Sequence, residues 1–345
     1  MARKPLGVLF GGKSNEYEVS LLSAAAVLPE LDSAGIPRNA LRADRDGRLF
    51  LFTGDATAIA SGAADDPAAL SPASFTRGGV LLQNGTAIPL SGVLPAVHGG
   101  MTEDGRLQGM LDWLAIPYAG SGAEACAVTM NKALTKTVLS SVGVPTAGGF
   151  ALSVEDDGDA IRRVEGALPY PVFVKPARSG SSVGAGIARN RAELAARINV
   201  AAKTDRLVLF EPLVVGREIE VGVLADENGR PVATPPGELF FDAGFYDYET
   251  KYAIGAKTRV PADLPAALSE TLRELALTAF RALGCRHFAR VDFFLPENGG
   301  PILNEVNALP GLTEKSMFPR LAAAAGVPFP ALVRRLAAFA TEATA

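Results

Sequence analysis

Cysteine is nearly missing from this 345-residue sequence, with Cys126 and Cys285 the only two. Two lone cysteines in so long a chain make no disulfide framework and suit a reducing compartment. Both read as small buried hydrophobes. Histidine is equally scarce: His98 and His287 have no spaced His or Cys partners, so no zinc set forms and His287 reads as structural. No stretch approaches the ~18 uninterrupted apolar residues of a membrane span. The opening Met1 to Pro5 runs straight into an apolar segment too short for the core of a signal peptide. A soluble, cytoplasmic protein without a membrane partner is expected. Basic runs are lacking too. With 33 basic and 37 acidic residues and a net charge of -4, nucleic acid is excluded as the main partner. The single tryptophan, Trp113, lies in an amphipathic pattern and is expected in the core.

Hydrophobic residues make up 48% and charged residues 20%, enough to bury a large core. The length suits about two or three domains. The opening reads strand (Leu6–Phe10), loop (Gly11–Asn15), then helix (Glu18–Ser33). That loop lacks the spacing of a phosphate-binding P-loop. A second unit has a strand at Gly92–Val97, then His98-Gly-Gly100 and a helix over Gly105–Leu114. Alternating strands and helices predict a parallel sheet covered on both faces, with ligands beyond the strand ends, near Glu16 and His98. Residues 53–90 show little periodicity and are expected to be variable and partly exposed. A helix is predicted over Ala123–Val142, strands over Tyr170–Pro176, Leu207–Leu213 and Gly216–Leu224, and a helix over Leu264–Leu283. Strands at Ala289–Leu295 and Ile302–Val306 precede C-terminal helices after Thr313 and Phe329.

Three segments carry chemistry. Lys175 to Gly184 ends a strand and enters a Gly/Ser loop whose backbone N–H groups can wrap phosphate. Asp292 and Glu305, with Asn307, offer hard oxygen ligands to a divalent metal. The loop Pro310-Gly311 follows directly. Taken one at a time, each has a plainer reading: a mobile turn, or solvated acids at strand ends. Together they suggest ATP used to make a bond.

The chain resembles the D-alanine–D-alanine ligases of the ATP-grasp superfamily. The resemblance rests on Gly11–Ser20, His98–Gly109, Pro117–Gly122, Met130–Lys132, Val174–Pro176, Gly180–Gly184, Gly216–Glu218, Phe245–Tyr252, Arg290–Asp292 and Glu305–Gly311, in the family's order. It implies an α/β fold, α+β in the ATP-binding half, with three domains. These are an N-terminal Rossmann-like, parallel-sheet substrate domain (1–122), a central ATP-grasp subdomain (123–214) and a C-terminal catalytic domain (215–345). It implies joining of two D-alanines with ATP, through an acyl phosphate, for peptidoglycan precursor synthesis. The alternatives keep the fold and change the acceptor to D-serine, D-lactate or a specialised amino acid, or keep nucleotide binding without catalysis.

The resemblance also implies roles. ATP is held by Lys132, Lys175, Ser181, Ser182, Glu211, Pro212, Leu213, Glu218 and Lys251. Asp292, Glu305 and Asn307 hold Mg²⁺ or Mn²⁺, with two ions expected. Glu16 takes the first ammonium, near His98, and Ser316 binds the second carboxylate. Arg290 and the Gly311 N–H stabilise the oxyanion. Ser181 and Tyr252 hydrogen-bond Glu16, and the 240–252 segment and the Ser/Gly loop act as lids. Tyr252 favours an amine acceptor over a hydroxy acid. A homodimer is implied as well. The sequence departs from the family at Asn131 (usually Asp), Ser179 (usually Glu), Tyr17 (usually His or Arg) and Glu314-Lys315, which are expected beside the acceptor pocket.

Overall fold

The computed structural model describes residues 3–154, 157–240 and 257–342. Among them lie three sheets.

The first sheet comprises β1 (Leu6–Gly11), β2 (Arg38–Ala43), β3 (Leu49–Phe52), β4 (Leu70–Thr76), β5 (Gly79–Leu82), β6 (Ala87–Pro89) and β7 (Gly92–Pro95), in the order β6-β5-β4-β3-β2-β1-β7. Only the β2-β1-β7 part is parallel. β2 through β6 form an antiparallel meander. Residues 53–90, expected to be irregular, supply three of those strands and the short helix α2 (Ala56–Ala60). Their signal was weak because the meander has an exposed face and short, turn-rich strands. β1 is buried throughout and is crossed by α1 (Tyr17–Ser33), whose Ala24, Val27, Leu28 and Leu31 pack on the sheet core. α3 (Arg106–Trp113) turns Leu107 and Leu111 inward. Trp113 lies two residues past Leu111, roughly 200° around the helix. It is therefore 84% exposed, not in the core.

The predicted helix over 123–142 is two helices, α4 (Ala123–Met130) and α5 (Lys132–Ser141). Asn131 breaks it with an extended ψ of 93°, and its side-chain oxygen accepts from the N–H groups of Ala133 and Leu134. Asn caps as Asp would, so this departure keeps the cap.

The second sheet, β10-β9-β11-β8, contains β8 (Phe150–Ser153), β9 (Val172–Pro176), β10 (Gly186–Ala188) and β11 (Leu207–Pro212). It is antiparallel and packs against α6 (Asp157–Ala167) and α7 (Arg191–Thr204).

The third sheet contains β12 (Arg217–Ala225), β13 (Pro231–Ala233), β14 (Gly237–Phe240), β15 (Lys257–Arg259), β16 (Phe288–Leu295) and β17 (Ile302–Asn307). Strand alternation sorts its faces. Ile219, Val221, Val223, Val291 and Phe293 enter a core with α8 (Ala266–Ala282). Glu218, Glu220, Arg290, Asp292 and Phe294 line the opposite side. The chain closes with α9 (Met317–Ala324) and α10 (Phe329–Phe339), whose buried residues join the core of the first sheet. Cys126 is buried, whereas Cys285 is only half-buried. His287 is structural: it accepts from the Gly120 N–H at 3.0 Å and stacks on Phe339. Among the described residues, no single helix is long and apolar enough to cross a membrane.

Candidate active site

The three sheets meet around a cavity of about 360 Å³. Glu16, His98, Lys132, Ser181 and Ser182 line it, and Glu218 joins them from the face of the third sheet. Arg290, Asp292, Glu305, Asn307, Gly311 and Ser316 complete the lining. An adjoining cleft adds Lys175, Glu211, Pro212 and Leu213 and shares Lys132, Ser181, Ser182 and Glu305 with the cavity. Every expected site residue that the structure describes therefore falls on one crevice. Lys251, Tyr252 and the 241–252 part of the expected lid lie outside the described residues.

β16 and β17 bring the acidic group together by register. Arg290 faces Asn307, and Asp292 faces Glu305, across the antiparallel pair. The register then slips, so that Phe293 pairs with Leu303 and Asn304 is extra. This bulge lets successive residues Asn304 and Glu305 both reach the crevice. Arg290 donates to both oxygens of Asp292, at 2.8 and 2.7 Å, and its Nε lies 3.0 Å from Glu220 Oε2. Asn307 donates to Asp292 at 2.9 Å. Burial raises the Asp292 pKa, and the Arg290 guanidinium opposes it. Glu305, despite burial, is held well below its ordinary value by Lys132, Lys175 and Arg290.

Do these residues fit a divalent metal? Among the described residues no group of three His, Cys, Asp or Glu could hold one alone. Two carboxylates and an amide oxygen are the sparse hard-oxygen set that Mg²⁺ accepts when phosphate and water complete its shell. The set fits.

The basic side is built from α5, β9 and the loop after β9. The Lys132 N–H donates to the Ala177 carbonyl at 3.0 Å. Its Nζ donates to the Ser179 carbonyl at 2.7 Å and pairs with Glu305 at 3.2 Å. The contact uses the backbone of Ser179, so the family's usual Glu side chain is not needed for it. Lys175 Nζ lies 2.7 Å from Glu211 Oε2 and 3.3 Å from Asn304 Oδ1. The Glu211 carboxylate is thus occupied by lysine and not turned free into the cleft. Ser181 and Ser182 hold left-handed φ of 48° and 57°, strained for serine. That turn aims the Ser181 hydroxyl at Glu16 Oε1, to which it donates. The Glu16 pKa is raised by burial and then by Glu305.

Glu16 needs glycine beside it. A Cβ on Gly99, whose φ is +72°, would stand 2.6 Å from Glu16 Oε2. His98 next to it uses both ring nitrogens within the protein: Nδ1 donates to the Leu309 carbonyl at 3.1 Å, and Nε2 meets Ser23 Oγ at 2.7 Å. The Leu312 N–H also donates to Ser23 Oγ. His98 therefore ties the end of the first sheet to the Pro310-Gly311 loop. Burial pushes its pKa down to about 4, so it stays neutral. Ser316 Oγ bonds Thr313 Oγ1 at 2.7 Å and lies near Gly311. Glu314 and Lys315 are exposed and do not line the cavity themselves, whereas the adjoining Ser316 does. Tyr17 is buried, accepts from Arg42 at 2.9 Å and carries Arg45 over its ring at 4.1 Å, which anchors the start of α1.

The sequence reading passed over four residues here. Glu103, half-buried in the cavity wall, has its pKa raised to about 8 by burial and by Glu16. Glu220 alternates with Glu218 on one strand face, a readable signal. Lys136 follows Lys132 by four, one helical turn. Asn304 faces the crevice only because of the bulge and had no signal.

Residues 5–121 match the family profile described as D-ala D-ala ligase N-terminus, and residues 138–338 that described as D-ala D-ala ligase C-terminus. A D-alanine–D-alanine ligase of Deinococcus radiodurans is 42% identical over 344 residues, covering 97% of this chain and 98% of its own. One from Chlorobium limicola is 40% identical over 362 residues, covering 99% and 98%. Among solved structures, the VanG D-Ala:D-Ser ligase of Enterococcus faecalis superposes with a TM-score of 0.90 at 31% identity, covering 98% of this chain and 99% of its own. The D-alanine–D-alanine ligase of Coxiella burnetii gives 0.84 at 30% identity, covering 98% and 95%. The mixed α/β architecture of three sheets is thus the ATP-grasp fold of these enzymes, and the chain belongs to the D-alanine–D-alanine ligase family.

Proposed function

We propose that this protein joins two D-alanines into D-alanyl-D-alanine, converting ATP to ADP and phosphate. The observation that carries the reading is the junction of the two walls, where Lys132 contacts both the Ser/Gly loop and Glu305. In this reading the residues for polyphosphate and those for the metal are neighbours.

In this reading Glu16 holds the ammonium of the first D-alanine. A carboxylate oxygen of that substrate attacks the γ-phosphorus, and the bond to ADP breaks. Lys132, Lys175 and the Ser181-Ser182 turn hold the phosphate oxygens, with Glu218 on the ribose and Glu211–Leu213 on the base. Asp292, Glu305 and Asn307 would hold Mg²⁺ or Mn²⁺, as one ion or two, and the bound metal would supply neutralisation of charge on the transferring group. The second D-alanine, placed by Ser316, attacks the acyl carbonyl as the free amine, and of the two protons its nitrogen loses, one ends on the departing phosphate and one in solvent. Arg290 and the Gly311 N–H stabilise the oxyanion, and phosphate leaves with its electron pair. In this reading the contact of Ser181 with Glu16 helps to close the site against water. Lys251 and Tyr252 complete the nucleotide contacts and the lid, on the strength of the family motif alone. The three expected units (1–122, 123–214, 215–345), a homodimer, a cytoplasmic setting and supply of a peptidoglycan precursor belong to the same proposal.

The test is an acceptor screen. Purified protein with ATP, D-alanine and competing D-serine, D-lactate and other amino acids is analysed by mass. D-alanyl-D-alanine as the main product supports the reading. Phosphate release that requires a different acceptor contradicts it.

A further inference from the structure

One carboxylate in the nucleotide wall is outnumbered by lysines. Glu211 on β11 is 3% exposed. Its Oε2 lies 2.7 Å from Lys175 Nζ, and its Oε1 pairs with Lys136 Nζ. Lys175 comes from β9 and lines the nucleotide cleft. Lys136 comes from α5 behind it, is buried, and also donates to the Ala147 carbonyl at 3.4 Å.

A buried lysine is an unfavourable choice in itself. Its burial, first of all, lowers the Lys136 pKa, and the nearby Lys175 adds to the fall. An apolar side chain of similar volume would avoid that cost. The reason to keep a cation here lies in the charge balance. Glu211 alone with Lys175 would form a neutral pair, and Lys175 would have little attraction left for phosphate. With Lys136 present, among the described residues Lys132, Lys136 and Lys175 face Glu211 and Glu305 with one positive charge in surplus.

We propose that Lys136 is a positioning residue for the polyphosphate of the nucleotide: it takes up one side of the Glu211 carboxylate, so that the Lys175 charge beside it is less fully neutralised and attracts phosphate more strongly, without Lys136 itself touching the nucleotide. This rests on the ATP reading above and adds to it the source of the charge. A residue that merely supports the wall would serve base and phosphates alike. A residue that supplies charge serves the phosphates alone.

The experiment compares MgADP with adenosine, by calorimetric titration of the full chain. Lys136→Met should weaken MgADP by about 10-fold or more and adenosine by less than about 2-fold. Lys136→Arg should stay within about 3-fold of the parent for both ligands. Glu211→Gln removes the opposing charge and should raise the preference for MgADP over adenosine. The double variant K136M/E211Q restores the surplus and should return that preference to within about 3-fold of the parent. Equal loss of both ligands in K136M, an unchanged MgADP affinity, or a double variant that fails to recover the preference would overturn the proposal. Should K136M not fold, Glu211→Gln decides: an unchanged preference overturns it. A parent protein that binds neither ligand refutes the nucleotide reading instead.

Discussion

The two walls of the crevice carry opposite surpluses of charge. On the β9–β11 side, Lys136 and Lys175 surround a single carboxylate, Glu211. On the β12–β16 side, Asp292 and Glu220 hold a single guanidinium, Arg290. The walls also differ in access. Glu211 is sealed in, whereas the Glu305 side chain keeps 28% of its surface exposed to the crevice. One wall is thus a fixed counter-charge for an anion. The other is a set of oxygens that a cation can still reach. Each would be poor alone: isolated buried charges are costly, and their mutual pairing offsets that cost until ligands arrive. Lys132 with Glu305 is the point where the two meet, and the reaction proposed needs both signs within one ligand's length.

The largest effect should come from breaking the acidic wall. Glu305→Gln and Asp292→Asn should each lower kcat by about 10³-fold or more, since charge stabilisation by a bound metal supplies several kcal/mol. Steady-state kinetics with the divalent ion varied would check it. An unchanged metal requirement would show that the metal sits elsewhere. Next is Arg290→Met, which removes an oxyanion donor and should reduce kcat by about 10²–10³-fold. Because Arg290 also pins Asp292, ADP binding measured in parallel separates the two effects: the oxyanion role leaves it intact.

The junction itself is tested by Ser181→Ala. This removes the hydroxyl donated to Glu16 and should raise KM for the first D-alanine by about 10-fold, the scale of one hydrogen bond to a charged group. A raised KM for ATP alone would place Ser181 wholly on the phosphate side. The smallest effect lies outside both walls, at His98. Its pKa falls from 6.5 unfolded to about 4 folded, so the unfolded chain binds more protons between these values. Stability should then be full above pH 6.5 and be lost as pH drops towards 4, by at most about 3 kcal/mol from this residue. His287 is lowered to about 4 as well, with the same sign. Denaturant melts of His98→Gln should show an acid slope smaller than the parent's by about one proton, because Glu103, raised to about 8, contributes with the opposite sign in both proteins. An unaltered slope would mean that His98 is not held neutral.

The same contrast explains what could be read from the sequence. The three long strands of the third sheet were legible because they alternate cleanly: Arg290-Val-Asp292 and Glu218-Ile-Glu220 place charges on one face and aliphatics on the other, whereas the three- and four-residue strands β13, β14 and β15 are too short to show a period. The metal-type group and the Ser/Gly loop followed from that alternation and from glycine chemistry. The meander of β3 to β6 was not legible, since its half-exposed strands carry no strong period. The break at Asn131 hid inside an otherwise helical run, because a capping Asn looks like any polar residue until the chain turns. Trp113 was misplaced by reading an amphipathic stripe one position too wide. The Lys136–Glu211–Lys175 group needed the antiparallel register of β9 with β11 and the approach of α5, none of which a linear sequence displays.

The central claim is that nucleotide phosphates and the acidic wall converge. A crystal structure with ADP and Mg²⁺ tests it most directly. The account predicts the terminal phosphate beside Lys132 and Lys175, bridged through metal at about 2.1 Å to oxygens of Asp292, Glu305 and Asn307. A nucleotide whose terminal phosphate lies away from that trio, with the metal held by other residues, would contradict it.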